Sequence, residues 1–187
     1  LCDEERKEEA VIATSNRILK AQKISQNSIR LTMGKPIFEW KKIPLSSDID
    51  IRNINIKIND LEFKNGFALN VGNPHIVFFV DDCFKYDLKE IGPLIENHEL
   101  FPEKINVTFA QMKDSSNILI NVWERGAGLT KACGTAACAT GVVAFEKKLS
   151  GNNTNIYFKE GPLNIKYNNI ISMTGPVSDI KEFEIRI

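Results

Sequence analysis

The densest run of chemically capable side chains is Asn121–Thr140, NVWERGAGLTKACGTAACAT. An apolar strand pattern delivers Glu124 and Arg125 into a Gly126-Ala127-Gly128 loop, and the chain then turns into a helix at Cys133-Gly134-Thr135. A helix start offers unpaired backbone N–H groups and about half a positive charge, so it suits an anion, and a carboxylate is its natural guest. Gly134 lets the backbone approach such a guest closely, and the Thr135 hydroxyl adds a donor. A thiol at Cys133 would have its thiolate favoured by the same dipole, which is how helix-terminal cysteines become bases or nucleophiles. The plainer alternative is a small buried hydrophobe at a helix cap. Cys138, five residues on and inside the helix, reads as core.

Glu124-Arg125 could equally be a surface ion pair of little energetic weight. Arg is scarce, however, at six against eighteen Lys, and the pair leads through glycines straight to the cysteine. An Arg fork grips a carboxylate at two points, and a Glu holds an ammonium. Cation holder, anion holder and thiol together describe an amino-acid site. Asn73 and His75 in Gly72-Asn73-Pro74-His75, and Asn106 at the opening of a strand, are further candidates. Taken alone, each of these three reads more readily as a turn or core residue than as a binding residue.

The elements that must position these residues are legible in outline. The stretch from Glu8 to Gly34 alternates in short apolar bursts that suit a strand meander, broken at Gly34-Lys35-Pro36, a candidate hinge. Ile54, Ile56 and Ile58 alternate strictly with polar residues and predict a half-buried strand. Phe67–Val71 and His75–Val80 form a strand pair about Gly72-Asn73-Pro74, and Ile105–Met112 and Ile118–Glu124 are two more strands. Leu88, Ile91, Leu94 and Ile95 recur at helical spacing behind Asp87, with Pro93 in the middle. Ala132–Leu149 is apolar on nearly every face (Ala136 to Phe145) and predicts a buried helix, with Lys147-Lys148 at its negative end and Gly151 just past it. Asn155–Lys159, Leu163–Tyr167, Ile170–Thr174 and Glu182–Ile187 read as strands, and Leu1–Lys7 as the end of a helix. The class is α+β: a strongly bent or barrel-like, mostly antiparallel sheet around one apolar helix.

Composition narrows the function classes. With 43% hydrophobic and 26% charged residues the chain can bury a real core, and 187 residues amount to slightly more than one domain of roughly 150. Lys+Arg and Asp+Glu are 24 each, so no basic excess draws the chain to phosphate backbones or acidic lipid. No run approaches the roughly eighteen apolar residues of a membrane span. Nucleic-acid binding and membrane insertion are therefore not expected. Cys2, Cys83, Cys133 and Cys138 form no CxxC pair and only His75 and His98 accompany them, so neither a zinc spacing nor a disulfide scaffold is indicated. Reduced thiols in the cytoplasm are the better expectation.

From Val11 to Pro176 a series of motifs occurs in order: Met33-Gly34-Lys35-Pro36, Gly72-Asn73-Pro74-His75, Gly92-Pro93-Leu94, His98-Glu99-Leu100-Phe101-Pro102-Glu103, Ile105-Asn106, Glu124 to Gly128, Ala132 to Ala139 and Met173-Thr174-Gly175-Pro176. Each is weak alone, but together the sequence resembles the diaminopimelate epimerases. The resemblance implies a cofactor-independent isomerase of lysine and peptidoglycan biosynthesis, converting LL-2,6-diaminopimelate to the meso form by two-cysteine proton transfer. It implies Cys133 as one of the two acid–base cysteines and Gly134 and Thr135 as holders of the reacting carboxylate. Glu124 and His75 would flank the reacting centre, while Asn73, Asn106 and Arg125 would hold the distal end. The family tends to form homodimers.

The family's other cysteine stands in a Cys-Gly-Asn motif that would fall upstream of Leu1; Cys2, in LCDEERK, is not that residue. The expected organisation is therefore a remnant of a first lobe over 1–33, a second lobe over 34–177 and a tail over 178–187 returning to the first lobe. Two other readings stay open: a related racemase or isomerase of the same two-lobed fold, and a catalytically incomplete half acting as a binding module.

Overall fold

The computed structural model describes residues 8–14 and 17–178. The expected helix end at Leu1–Lys7, the strand at Glu182–Ile187, the tail and Cys2 lie outside the described residues. The described elements run β1 (Glu9–Ala13), β2 (Ile18–Ser25), β3 (Ser28–Gly34), a 3-10 turn at Trp40–Lys42, β4 (Ile54–Ile58), β5 (Leu61–Asn70), β6 (Pro74–Phe79) and α1 (Leu88–Glu96). They continue with β7 (Asn106–Met112), β8 (Asn117–Glu124), β9 (Gly128–Leu129), α2 (Gly134–Glu146), β10 (Asn153–Phe158), β11 (Gly161–Asn168) and β12 (Ile170–Pro176).

The strands form one sheet in the order β1-β2-β3-β12-β11-β10-β8-β7-β6-β5-β4, with β9 attached to β8. Pairing is antiparallel except at β6–β7 and β8–β10. The α+β, mostly antiparallel expectation holds. The sheet is strongly bent, because α2 packs on strands from β12 to β5. Laid flat at about 4.8 Å per strand, those seven strands would span about 29 Å, far beyond the reach of one helix. Among the described residues it is nevertheless not a closed barrel: β1 and β4 are its edges. Outside the main ladder, Ile37 and Asn70 exchange both backbone hydrogen bonds in an isolated bridge.

Strand alternation sorts side chains onto two faces, and each face receives a helix. Phe67, Leu69, Val77 and Ala110 join α2 in one core, while Ala68, Ile76, Phe78, Val107 and Phe109 point the other way and pack with Leu88, Ile91 and Ile95 of α1. Residues Ala136–Ala144 of α2 are all buried, which accounts for a sequence with no polar face. Phe145 departs from that expectation: it is half-exposed and lies edge-on to Tyr167.

Both helices depart from prediction at particular residues. Asp87 caps α1 by accepting from the Lys89 N–H, as expected. Leu94, however, faces outward and is 46% exposed, and buried Gly92 takes the inward position in its place. The indole of Trp123 lies so close that a Cβ on Gly92 would stand 2.5 Å from its ring. Helix α2 ends earlier than the pattern suggested, at Glu146 with Lys147 as C-cap. Its left-handed terminal residue is Lys148 (φ 57°) rather than Gly151. Lys148 N–H donates to the Phe145 carbonyl and Leu149 N–H to that of Ala144, the paired bonds of a Schellman stop. The apolar pattern ran on through Leu149 because the stop is written in hydrogen bonds, not in a glycine.

Candidate active site

Strand β8 ends at Glu124, the chain reverses through a tight loop onto β9, and α2 begins five residues later. Gly126 (φ 75°) and Gly128 (φ 87°) both occupy left-handed backbone, so the Gly-rich loop is a geometric requirement of that reversal. Cys133 is the N-cap residue of α2, extended at φ −143°, and only 6% exposed. Its Sγ lies 3.4 Å from the Thr135 hydroxyl. As in any helix, the first-turn N–H groups have no intrahelical acceptor, so those of Gly134 and Thr135 supply the anion-binding end.

The thiol itself departs from the sequence expectation. Burial pushes Cys133 up to about 11, outweighing the Thr135 hydroxyl and Ala136 N–H that pull it down; the Glu124 carboxylate raises it further by hydrogen bonding and charge. Burial therefore favours the protonated thiol at Cys133, where the helix start alone would favour the thiolate. Cys138 is fully buried and pushed up to about 12 by burial, consistent with core.

On the neighbouring strands, His75 of β6 and Asn106 of β7 stand side by side in parallel register. His75 is fully buried, its Nε2 2.9 Å from Asn73 Oδ1. Burial first, and then the nearby Arg125 charge, push it down to about 3, so the ring is neutral. Asn106 Nδ2 donates to the Pro74 carbonyl at 2.6 Å, and its Oδ1 accepts the Arg125 N–H at 3.0 Å. That amide ties the start of β6 to the Glu124–Gly128 loop, with one N–H and one lone pair left over. Arg125 Nη1 donates to the Glu103 carbonyl at 3.0 Å. His75 Nδ1 and Thr108 Oγ1, both buried, lack a protein partner among the described residues. Register puts both on the face that meets α2, since Val77 opposite Thr108 belongs to that core.

All eight predicted site residues therefore gather at one end of the curled sheet. Cys133, Gly134, Thr135 and Glu124 form one part; Asn73, His75, Asn106 and Arg125 form the other, and the Glu124–Arg125 peptide joins them. Sequence reading gave Met173 only as part of a motif and no place near the site, yet its Sδ and Cε would lie 3.1 Å from a Cβ on Gly134. Sequence reading missed Glu96, a buried acid at the end of α1. The available signal was an acid in the last turn, where the helix dipole disfavours it. No helix among the described residues is long and apolar enough to cross a membrane.

Comparison with known proteins gives the family of the chain. Residues 67–180 match the family model described as diaminopimelate epimerase. The chain is 48% identical to the diaminopimelate epimerase of Pelagibacter ubique over 192 aligned positions, which cover all of this chain and 70% of that protein. It is 43% identical to the one from a Wolbachia of Drosophila simulans, covering 87% of this chain and 62% of that protein. Among solved structures, a probable proline racemase from Agrobacterium radiobacter K84 superposes with a TM-score of 0.61 at 14% identity, over 91% of this chain and 58% of that one. A phenazine biosynthesis protein of the PhzF family from Bacillus anthracis gives 0.56 at 15% identity, over 100% and 72%. At such identity these two share the fold alone. By sequence, motif order and architecture together, the chain belongs to the diaminopimelate epimerase family.

Proposed function

We propose that this chain supplies one catalytic face of a cofactor-independent epimerase that inverts an α-carbon of LL-2,6-diaminopimelate to give the meso form. The observation that carries the reading is the thiol of Cys133 at the α2 N-terminus, held against Thr135 and Glu124. A substrate carboxylate seated on the Gly134 and Thr135 N–H groups accepts the electron pair left when the Cα proton departs. In one direction the Cys133 S–H returns a proton to that carbon; in the other its thiolate removes one. Each turnover moves one proton off and one on, so atoms and charge balance.

A thiol kept protonated by burial is suited to the acid half of this cycle. The opposite face needs a second acid–base group, which the resemblance assigns to the family's Cys-Gly-Asn cysteine. His75 and Glu124 flank the ammonium of the reacting centre, neutral imidazole beside carboxylate. Asn73, Asn106 and Arg125 lie where a second amino-acid end would sit, favouring a two-ended substrate. In this reading residues 34–177 form the second lobe and 1–33 belong with the first, although β3 pairs directly with β12 across that boundary. A cytoplasmic homodimer acting on a small molecule, without nucleic acid or membrane, completes the proposal.

The test is solvent exchange at Cα in deuterated water. Cys133→Ala in the intact protein should lose epimerisation of diaminopimelate by about 100-fold or more, the usual weight of a positioned acid–base group, with any remaining exchange confined to the face of the second acid–base group. Retention of wild-type epimerisation would overturn the assignment.

A further inference from the structure

The loop that carries Glu124 and Arg125 closes on itself through the Ala127 N–H to the Glu124 carbonyl and the pairing of Glu124 with Gly128, and a buried carboxylate outside it adds a further hold. Glu96, the last residue of α1, is only 5% exposed. Its Oε1 accepts the Gly126 N–H at 3.0 Å, and its Oε2 accepts the Trp123 indole N–H at 2.7 Å. The two donors bracket Glu124 and Arg125 in sequence, so one carboxylate fixes both sides of that dipeptide. Gly92, one turn earlier on α1, leaves room for the Trp123 ring that presents its N–H to Glu96. From the other side, Asn106 Oδ1 takes the Arg125 N–H. Lys104 Nζ reaches only 4.0 Å from Oε1 and is more than half exposed, so it screens the acid weakly.

We infer that Glu96 is a positioning residue, setting the Gly126 backbone and thereby the placement of Arg125 and Glu124. A carboxylate is chemically required. Two N–H donors converge on it, and an amide in its place offers one acceptor oxygen and turns an NH2 toward the second donor. The kinetic part of this inference rests on the function proposed above. The backbone part does not.

The experiment is Glu96→Gln, nearly isosteric, in the full-length protein. Amide hydrogen exchange at Gly126 should quicken about tenfold or more, as expected on weakening a bond to a charged acceptor, while Val122 in β8 stays protected. KM for diaminopimelate should rise about tenfold with a much smaller change in kcat, because the distal grip loosens more than the thiol. Trp123→Phe removes the Oε2 donor and keeps the Gly126 bond, so its KM should rise less. Unchanged Gly126 exchange would overturn the inference. So would quickened exchange with wild-type KM, or an equal KM rise in Trp123→Phe. If the wild-type protein leaves diaminopimelate untouched, the function proposal fails, and Gly126 exchange still decides whether Glu96 holds the loop.

Discussion

At the residue scale the decisive contest is at one sulfur. The N-terminus of α2 argues for a thiolate, and burial beside Glu124 argues for a thiol; burial is the larger cause and raises Cys133 to about 11. Sequence spacing revealed the dipole and the neighbours, but not the depth at which the sulfur sits, so the site was legible and its protonation state was not. Glu124 is the adjustable part of the balance. Glu124→Gln removes a carboxylate whose charge and hydrogen bond both raise the thiol. The midpoint of Cys133 alkylation against pH, followed by mass spectrometry of its peptide, should fall below that of the wild-type protein while staying above that of a free cysteine, because burial persists. A midpoint that stays put or rises would show that Glu124 does not face the sulfur. Glu96 illustrates a second limit: its partners lie 27 and 30 residues away, and no local pattern links them.

At the element scale the helix that presents the thiol is specified by small residues. Gly141 faces β11, and a Cβ there would come within 2.7 Å of Ile165 Cγ2 and 3.0 Å of its Cβ. Alanine is better than glycine in a helix by about 1 kcal/mol, but overpacking a tight contact costs about 1–3 kcal/mol. The contact is to the root of a β-branched chain that has little room to give, so the packing cost wins. Gly141→Ala should lower stability by about 1–2 kcal/mol in urea denaturation. Adding Ile165→Leu, which moves the branch away from Cβ, should recover part of that loss. A more stable Gly141→Ala protein would mean that propensity prevails and that α2 has slack against β11. Strict alternation identified β4, whose burial alternates residue by residue, and an unbroken apolar run identified α2, which is buried continuously from Ala136 to Ala144. These patterns missed the first half of β5, where Leu61 is exposed and Asn65 turns left-handed at φ 57°, and they misjudged the end of α2, which depends on Lys148 adopting a glycine-like conformation.

For the whole molecule, equal numbers of acidic and basic residues leave no net charge at neutral pH, so overall charge repulsion does little to set stability there. What remains is the cost of burying particular groups, and His75 is the clearest case. It sits fully buried where β6 and β7 enter the site, and burial and Arg125 push it down to about 3. In the unfolded chain an imidazole titrates near about 6.5. Between those values the unfolded state binds a proton that the native state refuses. Folding stability is therefore at its full value above about 6.5 and declines as pH falls toward about 3, with a limiting slope of about 1.4 kcal/mol per pH unit for one proton. The same buried neutrality that suits the proposed place of His75 beside a substrate ammonium makes the folded protein sensitive to acid. Urea unfolding of wild type and His75→Gln at pH 7 and pH 5 separates this residue from the carboxylates. The variant starts lower, because it alters a packed position, yet it should lose less on going to pH 5 than wild type does. An equal loss in both proteins would mean that His75 accepts a proton in the folded state, and the ring would then be cationic in the site at pH 5.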